Sequence, residues 1–227
     1  MPRIADVLDS LQSSFGPVAP HAPTDPYEFL VWWHCGYPAS QQRCAKGWEA
    51  VRRDIGVAPE QLALASKATL VKALKAGGMV PELRAARLKE IAARVRREFS
   101  GDLLSALSRL SAPQVRRVLK SFPGIGNPGA DRIALFSRLS PVAAVPSACP
   151  HVLVRIFDGP AGDKYAATYA AAQSLLEALP AAFDARIRGY LLIDRHGHDL
   201  CKRAKPLCAR CPLQSRCAFA NLSRKPQ

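Results

Sequence analysis

The sequence predicts an all-α protein, and three observations support this fold class. Alanine and leucine are abundant, whereas aromatic residues make up only 7% of the chain. Apolar residues recur at the spacing of one helix face between breaks that are rich in proline and glycine. No segment alternates apolar and polar residues in the manner of a half-buried strand. We therefore expect helices throughout and no strand.

The first part of the chain contains three predicted helices. Residues 4–15 carry apolar side chains at helical spacing and lead into a proline-rich connector. Asp25 can cap the next helix, with Pro26 at its first position, and the apolar segment that follows is expected to be buried. After a glycine–tyrosine–proline break, residues 39–54 form a more polar helix.

Three more helices are expected at about residues 59–65, 67–75 and 82–99. The last is rich in arginine, and the simplest explanation of this charge is that one face of the helix is solvated. Gly77 and Gly78 lie just before it. They either end a helix, which is the commoner use of glycine, or allow the backbone to approach DNA.

The stretch from Leu119 to Phe136 predicts a helix, a glycine turn and a second helix. Gly124 and Gly126 supply a turn without a Cβ atom, Asn127 can cap the second helix, and Pro128 fits its first position. Backbone N–H groups at such a turn, beside a helix N-terminus, suit a phosphate ligand. The alternative is an ordinary packing corner between two helices.

The remainder of the chain continues with a connector at residues 141–150. Helices are expected at about residues 149–157, 164–178 and 181–193.

The charge of the chain favours a polyanionic partner. Lysine and arginine number 32 against 18 acidic residues, a net charge of +14, and the basic residues are spread along the chain. Nucleic acid is the simplest partner, and a ribosome-associated or membrane-surface role is the alternative. Without an apolar run of membrane-spanning length or a signal peptide, we expect a cytoplasmic protein, nucleoid-associated if bacterial, with no membrane partner.

Four of the seven cysteines lie close together near the C-terminus and suggest a metal site. They are separated by six, two and five residues and comprise Cys201, Cys208, Cys211 and Cys217. An odd total and the absence of a signal peptide argue against disulfides. Zinc and an iron–sulfur cluster both suit four thiolates.

Together with the glycine turn, this cysteine loop resembles the endonuclease III branch of the helix–hairpin–helix DNA glycosylases. In that branch the loop has the same six-two-five spacing and holds a 4Fe-4S cluster. The segments DPYEFLVWW, FPGIG and PHVLVRI resemble the family's first core helix, its hairpin and the helix behind its active-site aspartate.

The resemblance implies a two-lobed, all-α helix–hairpin–helix DNA glycosylase fold with a C-terminal iron–sulfur cluster loop. One domain would be a helical bundle of residues 24–142, with the helix–hairpin–helix motif at about 113–139. The other would combine residues 1–23 with 143–227 and contain the cluster loop 201–217. DNA would lie across the cleft between the lobes.

The resemblance also assigns residues to DNA and to the cluster. Those assigned to DNA are Gly124, Ile125, Gly126, Asn127, Lys202, Arg203, Lys205 and Arg210. The cations of the loop could instead serve only to keep it solvated. The cluster ligands would be Cys201, Cys208, Cys211 and Cys217.

Three positions depart from the family pattern. The lysine that forms a Schiff base with the sugar is replaced by Pro128, which has no amine to offer. The aspartate that assists hydrolysis is replaced by Cys149. Pro38 stands where the family has a glutamine that fills the gap left by a flipped base, although Gln41, Gln42 or Tyr37 could take that role.

Candidate catalytic residues are therefore Cys149, His151 and Asp131. A helix N-terminus would lower the pKa of the Cys149 thiol and make it a nucleophile; otherwise this cysteine is a small core residue. His151 has the titration range for proton transfer, unless it is a structural histidine. Asp131, one turn into the second helix of the motif, is the nearest candidate carboxylate to the cleft, and Asp158 and Asp194 are further ones.

Two functions follow from the resemblance. The first is a DNA base-excision-repair glycosylase, a monomer that hydrolyses the N-glycosidic bond of a damaged or mismatched base in double-stranded DNA without Schiff-base lyase activity. The alternative is a catalytically inactive protein of the same fold that binds damaged or distorted DNA. A zinc-containing structural DNA binder is a third interpretation if the cluster assignment is wrong.

Overall fold

Thirteen α-helices and three short 3-10 helices make up the described part of the chain, which contains no β-strand. The structure, a computed structural model, describes residues 2–36 and 39–222, without the side chain of Gln41. The all-α prediction is confirmed for these residues. The α-helices are α1 Ile4–Phe15, α2 Pro26–Gly36, α3 Gln41–Asp54, α4 Pro59–Leu64, α5 Lys67–Leu74, α6 Pro81–Phe99, α7 Leu103–Ser108, α8 Ala112–Lys120, α9 Asn127–Phe136, α10 His151–Phe157, α11 Tyr165–Glu177, α12 Phe183–Asp199 and α13 Ala218–Leu222. The 3-10 helices are Lys75–Gly77, Cys208–Arg210 and Gln214–Arg216.

Most helices lie within two residues of their predicted bounds, and side-chain caps set the starts of some of them. Asp25 accepts a hydrogen bond from the Glu28 N–H at 2.9 Å, as expected of the cap of α2. The short helices α7 and α13 were not predicted; they have six and five residues. The cap of α7 is Asp102, which accepts from the Ser105 N–H at 2.9 Å. Helix α12 continues past its predicted end at residue 193 to Asp199.

The chain divides into two units, one of residues Pro20–Ile125 and one that combines Met1–Ala19 with Gly126–Gln227. The second boundary therefore differs from the one expected near residue 142. The reason is α9, whose apolar side packs on α12. Phe136 and Tyr190 meet edge to face at 5.1 Å there, so α9 belongs with α12.

Within the unit Pro20–Ile125, every residue of α2 except Glu28 is buried, and α3 and α6 pack against this helix. The glycine pair after α5 serves this packing. A Cβ atom at Gly77 would overlap the carbonyl oxygen of Cys35, and one at Gly47 would collide with the same carbonyl. Gly78 ends the 3-10 helix with a φ of 124°, which favours glycine. This geometry supports the helix-end interpretation of the pair.

The other unit has a separate core built from α1, α10, α11, α12 and α13. Helix α10 is buried throughout, and Leu153 and Val152 have no exposed surface. The two 3-10 helices of the cysteine loop lie beside this core, and Leu213 and Cys217, which flank the second of them, are part of it. The site of interest in this unit is therefore a loop tied to a buried helix.

None of the helices in the described part of the chain combines the length and the apolar character that spanning a bilayer requires.

Candidate functional site

The glycine turn between α8 and α9 has the hairpin shape that the sequence predicts, but its two glycines play different roles. Gly124 has a φ of 72°, in the left-handed region that favours glycine. Gly126 has an extended backbone with a φ of −92°, and only Pro128 lies within 4 Å of where its Cβ would be. The conformation of the turn therefore requires Gly124 and would tolerate a side chain at Gly126.

Two side chains of the same unit hold the first half of the hairpin. The Nε2 atom of His34 donates to the Pro123 carbonyl at 2.9 Å. Arg94 donates to the Ser121 carbonyl at 2.9 Å and to its hydroxyl at 2.8 Å, and its guanidinium lies 4.5 Å from the Phe122 ring centre. The backbone that precedes Gly124 is thus fixed before any ligand binds.

The second half of the hairpin is open to solvent. Gly124, Gly126 and Asn127 are exposed, whereas the Ile125 side chain is buried and only its backbone is available to DNA. Helix α9 begins at Asn127 with Gly126 as its N-cap, so Asn127 is not the cap that the sequence suggested. Pro128 is accordingly at the second helical position. The first N–H groups of a helix have no partner within it, which leaves them for an anion.

The burial of His34 beside the hairpin makes the stability of the fold depend on pH. Burial lowers the pKa of His34 to about 4, and the charges of Arg87 and Arg84 act in the same direction. An unfolded histidine titrates at about 6.5, so between these values only the unfolded chain takes up the proton. The free energy of unfolding should therefore fall by up to roughly 3 kcal/mol as the pH drops from 6.5 to 4.

Urea unfolding at a series of pH values measures this effect. His34→Gln keeps a donor for the Pro123 carbonyl but does not titrate, so its stability should fall less over the same interval. An equal fall in the variant and in the original chain would show that His34 is not responsible.

The four cysteines of the C-terminal loop line one common pocket. Its walls are mainly apolar and come from α10, the loop and α13, with His196 of α12. Two donors point at the sulfurs: the Leu213 N–H lies 3.4 Å from Cys211 Sγ, and an Arg155 nitrogen lies 3.8 Å from Cys201 Sγ. Converging thiols, an apolar wall and N–H groups directed at sulfur are the features that an iron–sulfur cluster needs.

Arg155 anchors this loop and was missed in the sequence. Its guanidinium donates to the carbonyls of Lys202 at 3.0 Å and Arg203 at 2.7 Å, and it lies over the Phe219 ring at 4.7 Å. His151 donates from Nε2 to the Cys201 carbonyl at 2.8 Å. The signal in the sequence was a single arginine inside the apolar helix α10, which indicates a buried polar partner.

The cations of the loop point outward. Arg155 holds the backbone of the first two, Lys202 and Arg203. The side chains of all four are exposed, namely Lys202, Arg203, Lys205 and Arg210. A basic surface on a fixed backbone is suited to phosphate groups.

The three candidate catalytic side chains are buried. Cys149 is 2% exposed, and burial, assisted by the charge of Asp194, raises the pKa of its thiol to about 12. The expected lowering of this pKa is therefore wrong, because desolvation outweighs the helix N-terminus. His151 is 6% exposed, and burial lowers its pKa, which keeps the imidazole neutral. Asp131 is 1% exposed and accepts from the Tyr169 hydroxyl at 3.3 Å, so it does not face an open surface.

These candidates are not brought together as one catalytic group. The polar neighbours of Cys149 are Asp194 and His198 of α12, of which Asp194 was among the carboxylates considered from the sequence. Asp158 is exposed at the end of α10.

The predicted gap-filling residues are only partly described. Tyr37, Pro38 and the side chain of Gln41 lie outside the described residues, and Gln42 is exposed. A feature that the sequence did not reveal lies just before α6. Met79 is 78% exposed and Val80, also exposed, has a φ of 51°, a strained conformation for a β-branched residue.

Comparison with known proteins identifies the fold. No family model and no curated protein sequence matches the chain. Solved structures do match it: a non-covalent endonuclease III–DNA complex has a TM-score of 0.77 at 18% identity, covering 99% of this chain and 100% of that one. A trapped endonuclease III–DNA covalent intermediate has a TM-score of 0.75 at 17% identity, with the same coverage of both chains. A thermostable thymine-DNA glycosylase has a TM-score of 0.75 at 18% identity, covering 96% of this chain and 95% of that one. The chain has the helix–hairpin–helix DNA glycosylase fold of the endonuclease III branch.

Proposed function

We propose that this chain, built on the endonuclease III fold, is a DNA base-excision-repair glycosylase. It would hydrolyse the N-glycosidic bond of a damaged or mismatched base in double-stranded DNA as a monomer, without Schiff-base lyase activity. The observation that carries the proposal is the start of α9, where Gly126 and Asn127 are exposed beside the first N–H groups of the helix. This is an anion-binding arrangement on a fold whose solved relatives include DNA complexes.

Charge supports DNA as the partner. The net charge of +14 attracts a polyanion from a distance, and the exposed cations of the cysteine loop supply local phosphate contacts. We propose that the exposed side chains of Met79 and Val80 contact the bases of the DNA, since apolar side chains at DNA interfaces are often inserted between adjacent base pairs.

The cofactor we propose for the loop is a 4Fe-4S cluster bound by Cys201, Cys208, Cys211 and Cys217. No three of these sulfurs lie within 4.8 Å of one another in the described structure. Four sulfurs around one zinc ion would stand about 3.8 Å apart, since each lies about 2.3 Å from the metal at tetrahedral angles. The wider separation favours a cluster of several irons. When bound, it would link four points of the loop; the chain's part is to supply the thiols and the N–H groups directed at them.

The chemistry available to the chain's own residues is limited. Pro128 has no amine for attack on the sugar. His151 is engaged with the Cys201 carbonyl, and Asp131 is engaged with Tyr169. We therefore propose a substrate whose base leaves readily, with the protein contributing mainly position and electrostatic stabilisation through the hairpin.

A second candidate function is favoured by the burial of all three candidate catalytic side chains. A protein that recognises damaged or distorted DNA without cleaving it would need the hairpin and the basic loop and none of the buried groups.

A panel of duplexes, each with one damaged or mismatched base, distinguishes the two functions. A glycosylase should produce strand scission at one or a few lesions only after treatment with alkali. Tight binding to a lesion without alkali-labile product would support the second function, and the absence of both would contradict the proposal.

Replacement of Gly126 tests the phosphate contact without disturbing the fold. Gly126→Val has room for its side chain and an ordinary φ, so the fold should be kept, at a cost of about 1 kcal/mol because valine is a poorer N-cap of α9 than glycine. The side chain would stand where a phosphate approaches, and DNA affinity should fall about tenfold or more, since a charge-assisted hydrogen bond is worth about 1.5–3 kcal/mol. Fluorescence anisotropy with a labelled duplex measures the affinity.

The matched control is Gly162→Val, at another exposed glycine with nothing within 4 Å of its Cβ position. Raised salt should weaken DNA binding of the control steeply, as it does for the unaltered chain. Equal affinity of the two valine variants would contradict the role of the hairpin, and affinity that does not change with salt would contradict phosphate binding.

A further inference from the structure

Three side chains of different chemistry converge outside the cysteine loop. The Cys149 sulfur, a carboxylate oxygen of Asp194 and a ring nitrogen of His198 all lie within 4.8 Å of one another. We propose that these residues form a binding site for a single divalent transition-metal ion of the zinc type. The proposal concerns metal binding and is independent of whether the chain is a glycosylase.

The backbone fixes the position of each ligand. Asp194 and His198 are four residues apart on α12 and share one face of that helix, with 3.6 Å between His198 Nε2 and Asp194 Oδ1. Cys149 lies in the turn before α10, where its N–H donates to the Pro146 carbonyl at 3.0 Å and its carbonyl accepts from the Val152 N–H at 3.1 Å.

A glycine brings the cysteine to the helix. A Cβ atom at Gly197 would overlap the Cys149 sulfur, so only glycine at this position of α12 allows the thiol to lie against the helix. Packing against Gly197 would need only a small apolar side chain at position 149. The residue found there is a cysteine, whose thiol lies beside a carboxylate and an imidazole.

The set of donor atoms indicates the kind of metal. Thiolate, imidazole and carboxylate are the ligands of zinc and its neighbours in the first transition series, whereas magnesium and calcium prefer oxygen alone. Binding would use Cys149 as the thiolate, with its proton released to solvent.

The site also leaves one position open. Exposure increases from the buried Cys149 through Asp194, with 18% of its side chain exposed, to His198, with 47%. Three protein ligands with solvent on one side leave the fourth tetrahedral position for water, as in zinc sites that are not purely structural.

The test uses the full chain purified with its own cluster, whose iron is counted separately. The protein is incubated with one equivalent of zinc and desalted, and zinc is measured by elemental analysis and by X-ray absorption at the zinc edge. We expect one added zinc per chain, with one sulfur at about 2.3 Å and nitrogen or oxygen ligands at about 2.0–2.2 Å.

Variants locate the ion. His198→Ala alters an exposed side chain and should reduce zinc affinity at least tenfold with iron content unchanged, and Cys149→Ser should remove the sulfur from the zinc spectrum. His21→Ala, at an exposed histidine of the other unit, should bind zinc like the unaltered chain. Zinc that is not retained, zinc surrounded only by several sulfurs, or equal binding by His198→Ala and His21→Ala would each overturn the proposal.

Discussion

Cys211→Ser is expected to yield a chain that purifies without its iron and unfolds at a lower temperature. The loop that carries the four cysteines has little regular structure beyond two 3-10 turns, so its order should depend on the bound group. Because metal binding energy of this kind contributes directly to folding, we expect a loss of several kcal/mol. DNA affinity should fall as well, since Lys202, Arg203 and Lys205 lie in the same loop. Iron and sulfide analysis, thermal unfolding and anisotropy measure the three effects.

The matched control is Cys44→Ser. This cysteine is buried in the other unit, and its thiol lies 3.7 Å from the Ala39 carbonyl, to which a serine hydroxyl can also donate. The control should retain its iron. A Cys211→Ser chain with full iron content and unchanged stability would contradict the cluster assignment.

The second large effect concerns covalent trapping on DNA. Borohydride should trap no complex between the unaltered chain and an abasic site, because Schiff-base formation needs an uncharged amine near the sugar and Pro128 offers none. Pro128→Lys should convert this negative result into a trapped complex. The residue lies in the first turn of α9, where the helix dipole disfavours a positive charge and so helps to keep an amine neutral.

Lys120→Ala is the control for the trapping experiment, since this exposed lysine on α8 is the nearest amine before the turn. It should behave like the unaltered chain. Trapping by the unaltered chain would mean that another lysine reaches the sugar. A Pro128→Lys chain that binds DNA normally and forms no adduct would show that the sugar does not lie beside the start of α9.

The sequence predicted the helices well where an amphipathic period was long or a cap was explicit. It did not reveal the short helices α7 and α13. The boundary between the units depends on the packing of α9 against α12, which no local pattern shows. Proline and glycine predicted the hairpin, but only the dihedral angles distinguished Gly124, which the turn requires, from Gly126, which it does not.

The candidate site was less predictable than the fold. Cysteine spacing identified the loop, because that pattern is local in sequence. Arg155 contacts the cysteine loop, and His34 contacts Pro123. Both contacts join residues that are far apart in the chain, so no local sequence pattern predicts them. For the same reason the sequence left open whether Cys149 is a reactive thiol or a small core residue, and its burial supports the second. Its position before a helix suggested a reactive thiolate, but its burial against Gly197 is a property of the folded unit alone.

The bonds from α10 to the cysteine loop imply an order of assembly. Arg155 and His151 bind the carbonyls of Cys201, Lys202 and Arg203 with protein groups alone, so this stem can form as soon as α10 folds. The last cysteine is held as well, since the Cys217 thiol donates to the Arg155 carbonyl at 3.4 Å. The first and last thiols would then be in place for arriving iron, and Cys208 and Cys211 would close between them. Loss of the Arg155 side chain would slow loading of the cluster even where the finished protein was stable.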